Sequence, residues 1–523
     1  LGLWERTAKS LKKFSPLAVT GIRYPAGIRL PGTPALCLSQ RSRVNSGAFR
    51  AGLKRHPAES ACGGGCSFEQ TQTAQSVVQE PFPQMLKVAM IGAGSVGFTR
   101  RLFMDILAVP ELRDTEFRFM DIAEEPLEMS AALCRKMAAD SGVAATVRAT
   151  TDRREALDGA DYVFCMIRVG GLDAFAKDIE IPLKYGVDQC VGDTLGPGGV
   201  FYALRTIPVL LDIARDMREL CPDALLLNYS NPMAMNCWAL RRAGGVRVVG
   251  LCHGVQHGAW QIAKALGIPL EEMQYICAGI NHQTWFIRVC HRGQDLTSRI
   301  PEAMAADEDI RKHDPLRLDV LQRFGYYSTE SNGHLSEYLP WYRKGPDRDR
   351  YMDYSIWPGG ETGGYLRACR ETADDYRKNY PKWLSGELDQ IRLGDRSVEH
   401  GSYILEALET GRVYRGCFNV ENTGLITNLP DGCTVELPCV VDSTGIHPQF
   451  VGDLPMQCAA TCRASISVQQ MAVEAALTGD RQMVRLAVLH DPLTGALCTP
   501  DQVWAMVDEM FRELAPWLPQ FRD

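Results

Sequence analysis

The chain has no run of about 18 apolar residues, so no stretch of it is long enough to cross a bilayer as a helix. It also lacks a basic surplus: 56 Lys and Arg stand against 63 Asp and Glu, a formal charge of −7, which gives no electrostatic footprint for nucleic acid. No internal repeat or low-complexity tract interrupts it, and its 18 cysteines follow no spacing pattern. That scatter argues against a disulfide framework and for reduced, buried thiols in a reducing compartment, which implies the cytoplasm. These absences leave small-molecule chemistry, with neither nucleic acid nor membrane as partner. What is present is 46 % hydrophobic content over 523 residues, enough for two closely joined domains sharing a large core.

Residues 1–84 differ from the rest. They hold eleven Lys and Arg against four Asp and Glu, and that surplus of seven puts residues 85–523 at −14. They show no sustained apolar periodicity and read as a basic, disordered extension or leader. An organelle transit peptide is one reading. Upstream translated sequence or a nonessential extension is the favoured one, because position 1 is not Met and Met85 directly precedes the first expected core strand. Cys62 and Cys66, with three glycines between them and no second pair nearby, read as a linker.

From Met85 onward short apolar strands alternate with amphipathic helices, the pattern of a parallel sheet with crossover helices. Strands are expected at Lys87–Ile91, Glu116–Met120, Tyr162–Ile167, Ala224–Leu227 and Arg247–Leu251, with helices at Phe98–Ala108, Phe201–Leu220 and Met233–Arg242. The fold class is therefore α/β: a Rossmann-like, doubly wound parallel sheet over 85–280. After about residue 280 the alternation weakens and a β-leaning part appears around Val413–Val441, so 281–523 is expected to be an α+β domain for substrate, metal and oligomerisation. Ligands of such sheets gather beyond the carboxyl ends of the strands.

Three groups of residues carry chemistry there. Gly92, Gly94 and Gly97, with Ser95 between them, follow a strand and open a helix, and Asp121 ends the second strand, where an acid binds a ribose. This is a dinucleotide fingerprint favouring NAD over NADP; the competing reading is a tight glycine turn. Cys252 and His282 offer a soft sulfur and an imidazole to one divalent metal, with several positions left open for substrate oxygens, or are simply packed side chains. An oxygen-rich remaining shell favours manganese or another mid-row ion over zinc. Finally, Val191–Gly199 presents a helix N-terminus with exposed N–H donors, or a structural turn. Asn228 and Asn231 end a strand, either as N-caps or as ligands for sugar hydroxyls.

With these residues in place, Met85 to the C-terminus resembles glycoside hydrolase family 4, the NAD- and metal-dependent glycosidases. The matching segments are Gly92–Ser95, Asp193–Gly199, Asn228–Met235, Gly250–His253 and Ala278–His282, extended by Thr329–Ser331 and Ser336–Trp341. The resemblance implies a redox-assisted elimination. NAD⁺ takes hydride from sugar C3, a base removes the acidified C2 proton, Mn²⁺ on the C2 and C3 oxygens acts as Lewis acid, the aglycone leaves C1, water adds, and the hydride returns. It also implies Cys252 and His282 as metal ligands, Asn231 as a substrate contact, His253 as acid at the leaving group, and a tyrosine base chosen from Tyr326, Tyr327 and Tyr338, with Tyr327 preferred. A Tyr base needs its pKa depressed, which the metal's charge can supply.

Within the family, galactosidases and glucosidases typically carry Ser after Cys-His, galacturonidases Glu and glucuronidases Gly, so Gly254 departs from the galactosidase pattern. The segments Asn231–Ala239 and Thr329–Trp341 nevertheless look closest to the α-galactosidase branch. A glycoside or small oligosaccharide with terminal α-galactose is thus the first expectation, with α-glucoside next. Arg168 keeps an α-glucuronidase open, because it can pair with a carboxylate; the competing reading is a surface arginine. An NAD-dependent 2-hydroxy acid dehydrogenase is the alternative of another class, and a non-catalytic nucleotide sensor a third. The resemblance further implies a homo-oligomer, dimer or tetramer.

Overall fold

The computed structural model describes residues 85–521, and the readings of residues 1–84 lie outside them. All described residues fall in one compact unit. Thirteen strands form one sheet: β1 Lys87–Ile91, β2 Glu116–Met120, β3 Thr146–Thr150, β4 Tyr162–Cys165, β5 Leu225–Asn228, β6 Arg247–Gly250, β7 Met273–Ile280, β8 Gln283–His291, β9 Gln294–Asp295, β10 Tyr327–Ser328, β11 Tyr414–Glu421, β12 Thr434–Asp442 and β13 Gly445–Pro448. Six of them run parallel in the order β3-β2-β1-β4-β5-β6. This is the doubly wound order, with its switch point between β1 and β4. The sheet then continues antiparallel through β11, β12, β7, β8 and β10.

Side chains alternate across a strand, so a strand covered on both faces must be apolar throughout. β1 shows it: Val88 and Met90 enter one core, Ala89 and Ile91 the other, all at 2 % exposure or less. β4 and β5 are buried at every position. β3 was not anticipated, because it is an edge strand with every residue half-buried or exposed and offers no apolar run. Elsewhere the expected strands are met within two residues. The helices run Val96–Leu107, Gly196–Leu220 and Met233–Ala239, the last closed by a π turn over Leu240–Gly244. The β-leaning part becomes β11 and β12, an antiparallel pair. The boundary expected after residue 280 falls in the two-residue turn between β7 and β8, inside the sheet.

One fully buried ion pair braces the crossover helices. Arg205, in Gly196–Leu220, meets Asp178, in the helix Gly171–Lys184, through both guanidinium nitrogens, and its Nε donates to the Val169 carbonyl at 2.9 Å. Neither side chain is exposed, so removing one charge strands the other. Asp178→Asn is expected to lower unfolding free energy by about 3–5 kcal/mol, measured as a shifted denaturant midpoint at unchanged slope. A shift equivalent to less than about 1 kcal/mol contradicts this reading of the pair.

Candidate active site

The carboxyl ends of the parallel strands deliver five of the expected residues to one rim: Gly92 after β1, Asp121 after β2, Arg168 after β4, Asn231 after β5 and Cys252 after β6. At the switch point Gly92 takes φ +91°, and a Cβ there would stand 2.7 Å from the Met166 carbonyl oxygen. The N–H groups of Gly92 and Ala93 donate to the Met120 carbonyl at 2.9 and 3.0 Å, which pulls the loop over β2. Asp121 accepts from the Gly94 N–H at 2.8 Å and from the Ala123 N–H at 3.0 Å. Ser95 is exposed at the N-cap of Val96–Leu107 without capping it through its side chain, and the Val96 N–H turns back to the Gly94 carbonyl at 2.9 Å. Gly97 differs from expectation. A Cβ there meets the Tyr376 hydroxyl, from the helix Gly364–Ser385, so this glycine makes room for a neighbouring helix and not for β1. The cradle fits a pyrophosphate on glycine backbone and a ribose at Asp121.

Cys252 and His282 do converge. Their donor atoms and a carboxylate oxygen of Glu330 all lie within 4.8 Å of one another. His282 sits in the turn after β7 with φ 64°, a left-handed conformation rare for a side-chain-bearing residue. Thr194 fixes its tautomer. The Thr194 hydroxyl donates to Asp193 Oδ1 at 2.8 Å, so at 3.2 Å from His282 Nδ1 it can only accept. Nδ1 therefore carries the proton and Nε2 the lone pair a metal needs. Burial pushes the His282 pKa down to about 4, keeping the ring neutral. Burial, then the charges of Glu436 and Glu330, hold the Cys252 thiol well above the ordinary range, so it awaits a cation before it ionises. A sulfur, a neutral imidazole and a carboxylate oxygen suit a divalent mid-row ion.

Asp193, fully buried, ties the substrate side together. It pairs with Arg168 Nη2 at 3.2 Å and accepts from Asn231 Nδ2 at 3.3 and 3.4 Å. Arg168 is no surface arginine: its guanidinium lies 4.5 Å from the Phe175 ring centre and 5.3 Å from that of Tyr202. Asn231 caps nothing, since Pro232 holds the N-cap of the following helix. Asn228 is buried, bonding the Ser230 carbonyl at 3.0 Å. Of the two readings of Val191–Gly199, the backbone follows the structural turn. Its backbone N–H groups are engaged by Glu337, at 2.7–3.0 Å, and by Asp491, at 3.1 Å. As backbone it is a structural turn; Asp193 and Thr194 act through their side chains.

Beside the cluster, His253 Nδ1 lies 3.2 Å from the buried Glu399 carboxylate while its own side chain is 47 % exposed. Desolvation, the largest single influence, lowers its pKa, but the Glu399 charge and hydrogen bond and the Glu330 charge together outweigh it, so the net shift is upward.

Two family models match this chain: family 4 glycosyl hydrolase over residues 87–268, and the family 4 glycosyl hydrolase C-terminal domain over 277–494. The chain belongs to glycosyl hydrolase family 4. It is 56 % identical over 438 residues to an α-galactosidase of Rhizobium meliloti (strain 1021), covering 83 % of this chain and 89 % of that protein. It is 38 % identical over 439 residues to an α-galactosidase of Bacillus subtilis (strain 168), covering 84 % and 100 %. A 6-phospho-α-glucosidase from gut microorganisms, solved in complex with NAD and Mn²⁺, shares the fold at TM-score 0.70 and 22 % identity, covering 84 % of this chain and 100 % of that one.

Among the tyrosines, this family 4 hydrolase departs from expectation. Tyr327 is fully buried; its hydroxyl donates to Gln261 Oε1 at 3.1 Å and its ring lies 4.4 Å from the Arg317 guanidinium. Burial drives its pKa upward. Tyr338 is the one that adjoins the cluster, with its ring 5.5 Å from that of His334 and its hydroxyl 3.4 Å from the Asn281 carbonyl. Residues that sequence reasoning missed are Glu330, Glu399, Asp193 as a side chain, and His334, whose ring packs 4.7 Å from that of His282. Glu330 and His334 lie within or beside the matched segments, but no fixed spacing marks either as a ligand.

Proposed function

We propose that this chain hydrolyses α-galactosides, as small glycosides or oligosaccharides, with NAD and a divalent cation, Mn²⁺ in the first instance. The likeness to α-galactosidases supports the sugar. Within the site, the observation that carries the reading is the charge balance at Arg168. A sugar acid needs an uncompensated cation, whereas Arg168 is already answered by the buried Asp193 carboxylate. What remains is a charge-balanced hydrogen-bonding surface: the part-exposed Arg168 guanidinium and the Asn231 amide. Such donors suit hydroxyls.

When bound, the nicotinamide supplies a reversible hydride acceptor and the cation supplies Lewis acidity at sugar oxygens. The residues of this chain do the rest. Gly92, Gly94 and Ser95 form the tight turn that lets the dinucleotide approach the N-terminus of the helix Val96–Leu107, Gly97 makes room for Tyr376 beside that turn, and Asp121 takes the ribose. Cys252 and His282 hold the cation. Asn231 and Arg168 orient the sugar, and His253, charged by Glu399, hands a proton to the departing oxygen. Tyr327 has no part in this assignment. The same reading carries a cytoplasmic enzyme: every described cysteine is a free thiol, as a reducing compartment maintains. Among the described residues no helix is long and apolar enough to cross a membrane. Assembly as a dimer or tetramer rests on the family resemblance.

The test is kcat/KM for nitrophenyl α-galactoside, α-glucoside and α-glucuronide, with NAD⁺ and Mn²⁺ each added or omitted. The galactoside is expected to lead, and only with both additives. Asp193→Asn, which uncovers the Arg168 charge, is expected to shift the galactoside-to-glucuronide ratio by ~10-fold toward glucuronide. A wild-type preference for glucuronide overturns the proposal, and an unmoved ratio in the variant removes the charge argument.

A further inference from the structure

Glu330 reaches the cation site by a rigid route. It follows β10, which pairs antiparallel with β8 so that Ser328 faces Trp285. One residue further, Thr329 is clamped to Thr284: its N–H donates to the Thr284 carbonyl at 2.9 Å, and its hydroxyl lies 2.7 Å from the Thr284 hydroxyl and accepts the Thr284 N–H at 3.1 Å. Glu330 is thus anchored to the strand that leaves the His282 turn. Among the described residues its carboxylate has no tight counter-charge: its ion-pair partner His334 stands 3.7 Å away, against roughly 2.8 Å for a charge-assisted bond.

Gly254 explains how the carboxylate fits. This residue opens the helix Gly254–Leu266 and is not among the positive-φ glycines, so its backbone conformation does not call for glycine. A Cβ at position 254 would stand 2.3 Å from Glu330 Oε1 and 3.7 Å from Cys252 Sγ, while meeting no backbone atom of another segment among its nearest neighbours. The space that a side chain would take is the space the carboxylate uses. Donor atoms held within 4.8 Å of one another are within a few tenths of an ångström of the span of two ligands on a single ion, at most roughly 4.6 Å for metal–ligand bonds of about 2.0–2.3 Å.

We propose that Glu330 is a third protein ligand of the divalent cation and that Gly254 is the residue that admits it. This rests on the reading of Cys252 and His282 as the cation site. The thiolate and carboxylate together balance a 2+ charge, so the chain holds its cation before any sugar arrives. The remaining positions stay open for substrate oxygens.

The experiment is a Mn²⁺ titration followed by electron paramagnetic resonance on the full chain with NAD⁺ bound, for wild type, Glu330→Gln, Glu330→Asp, Gly254→Ser, the Gly254→Ser/Glu330→Gln double variant and Cys252→Ala. NAD⁺ affinity, read by fluorescence, reports that each variant is folded. Glu330→Gln is expected to weaken Mn²⁺ by at least ~10-fold, Glu330→Asp by less, and Gly254→Ser by about as much as Glu330→Gln. The double variant is expected to be no weaker than Glu330→Gln alone, because both changes remove the same contact. Wild-type Mn²⁺ affinity in Glu330→Gln together with a loss in Cys252→Ala overturns the third ligand and leaves the two-ligand site standing. Unchanged affinity in Cys252→Ala as well means the cation-site reading itself has failed. Additive losses in the double variant overturn the role of Gly254.

Discussion

Replacing His253 by Asn is expected to slow cleavage of an alkyl α-galactoside by about 10²–10⁴-fold while largely sparing a nitrophenyl α-galactoside. His253 directly follows a proposed cation ligand, stands at the open side of the site with 47 % of its side chain exposed, and has a buried carboxylate 3.2 Å from Nδ1. Glu399 thereby holds the ring through Nδ1 and favours its charged form. An alkoxide leaving group needs a proton, whereas nitrophenolate departs without it, so the two substrates separate acid catalysis from every other role. Measuring kcat for both substrates decides the matter: equal losses contradict the acid role and point to a structural one.

The second large effect is expected from Cys252→Ala, a fall of about 10²–10⁴-fold in kcat/KM that added Mn²⁺ does not repair, with NAD⁺ affinity unchanged. Burial, with Glu436 and Glu330 nearby, keeps this thiol protonated on its own. It therefore ligates only by releasing its proton, and cation affinity is expected to rise with pH as that release becomes easier. Wild-type activity of Cys252→Ala at saturating Mn²⁺ contradicts the assignment, as does a cation affinity that falls with rising pH.

The fold was largely legible because its parallel strands are buried on both faces and so appear as short apolar runs, β4 and β5 most clearly. The edge strand β3 carries no such signal: it alternates Thr, Arg and small apolar residues at half exposure. At the site, the residues read in advance were those at strand ends or in glycine turns, where local chain geometry and ligand geometry coincide, as at Gly92, Asp121 and Cys252. Glu330 escaped notice because its proximity to Cys252 depends on how β10 pairs with β8, a contact that no local pattern encodes. Asp193 looked like part of a backbone turn, and only burial beside Arg168 reveals its side chain as the organising charge. The three neighbouring tyrosines could not be told apart for the same reason. The two-residue β10 sends Tyr327 to Gln261, and the short helix Asn332–Tyr338 brings Tyr338 to the cluster.

The central claim is that the glycosidic bond opens by elimination after loss of the C2 proton, not by direct displacement at C1. Its most direct test is hydrolysis of an α-galactoside in D₂O with NAD⁺ and Mn²⁺ present, followed by NMR of the released galactose and absorbance at the NADH band. The account predicts deuterium at C2 of the product, with no net NADH. Galactose released at full rate with C2 still carrying protium contradicts it, because displacement at C1 never touches that proton.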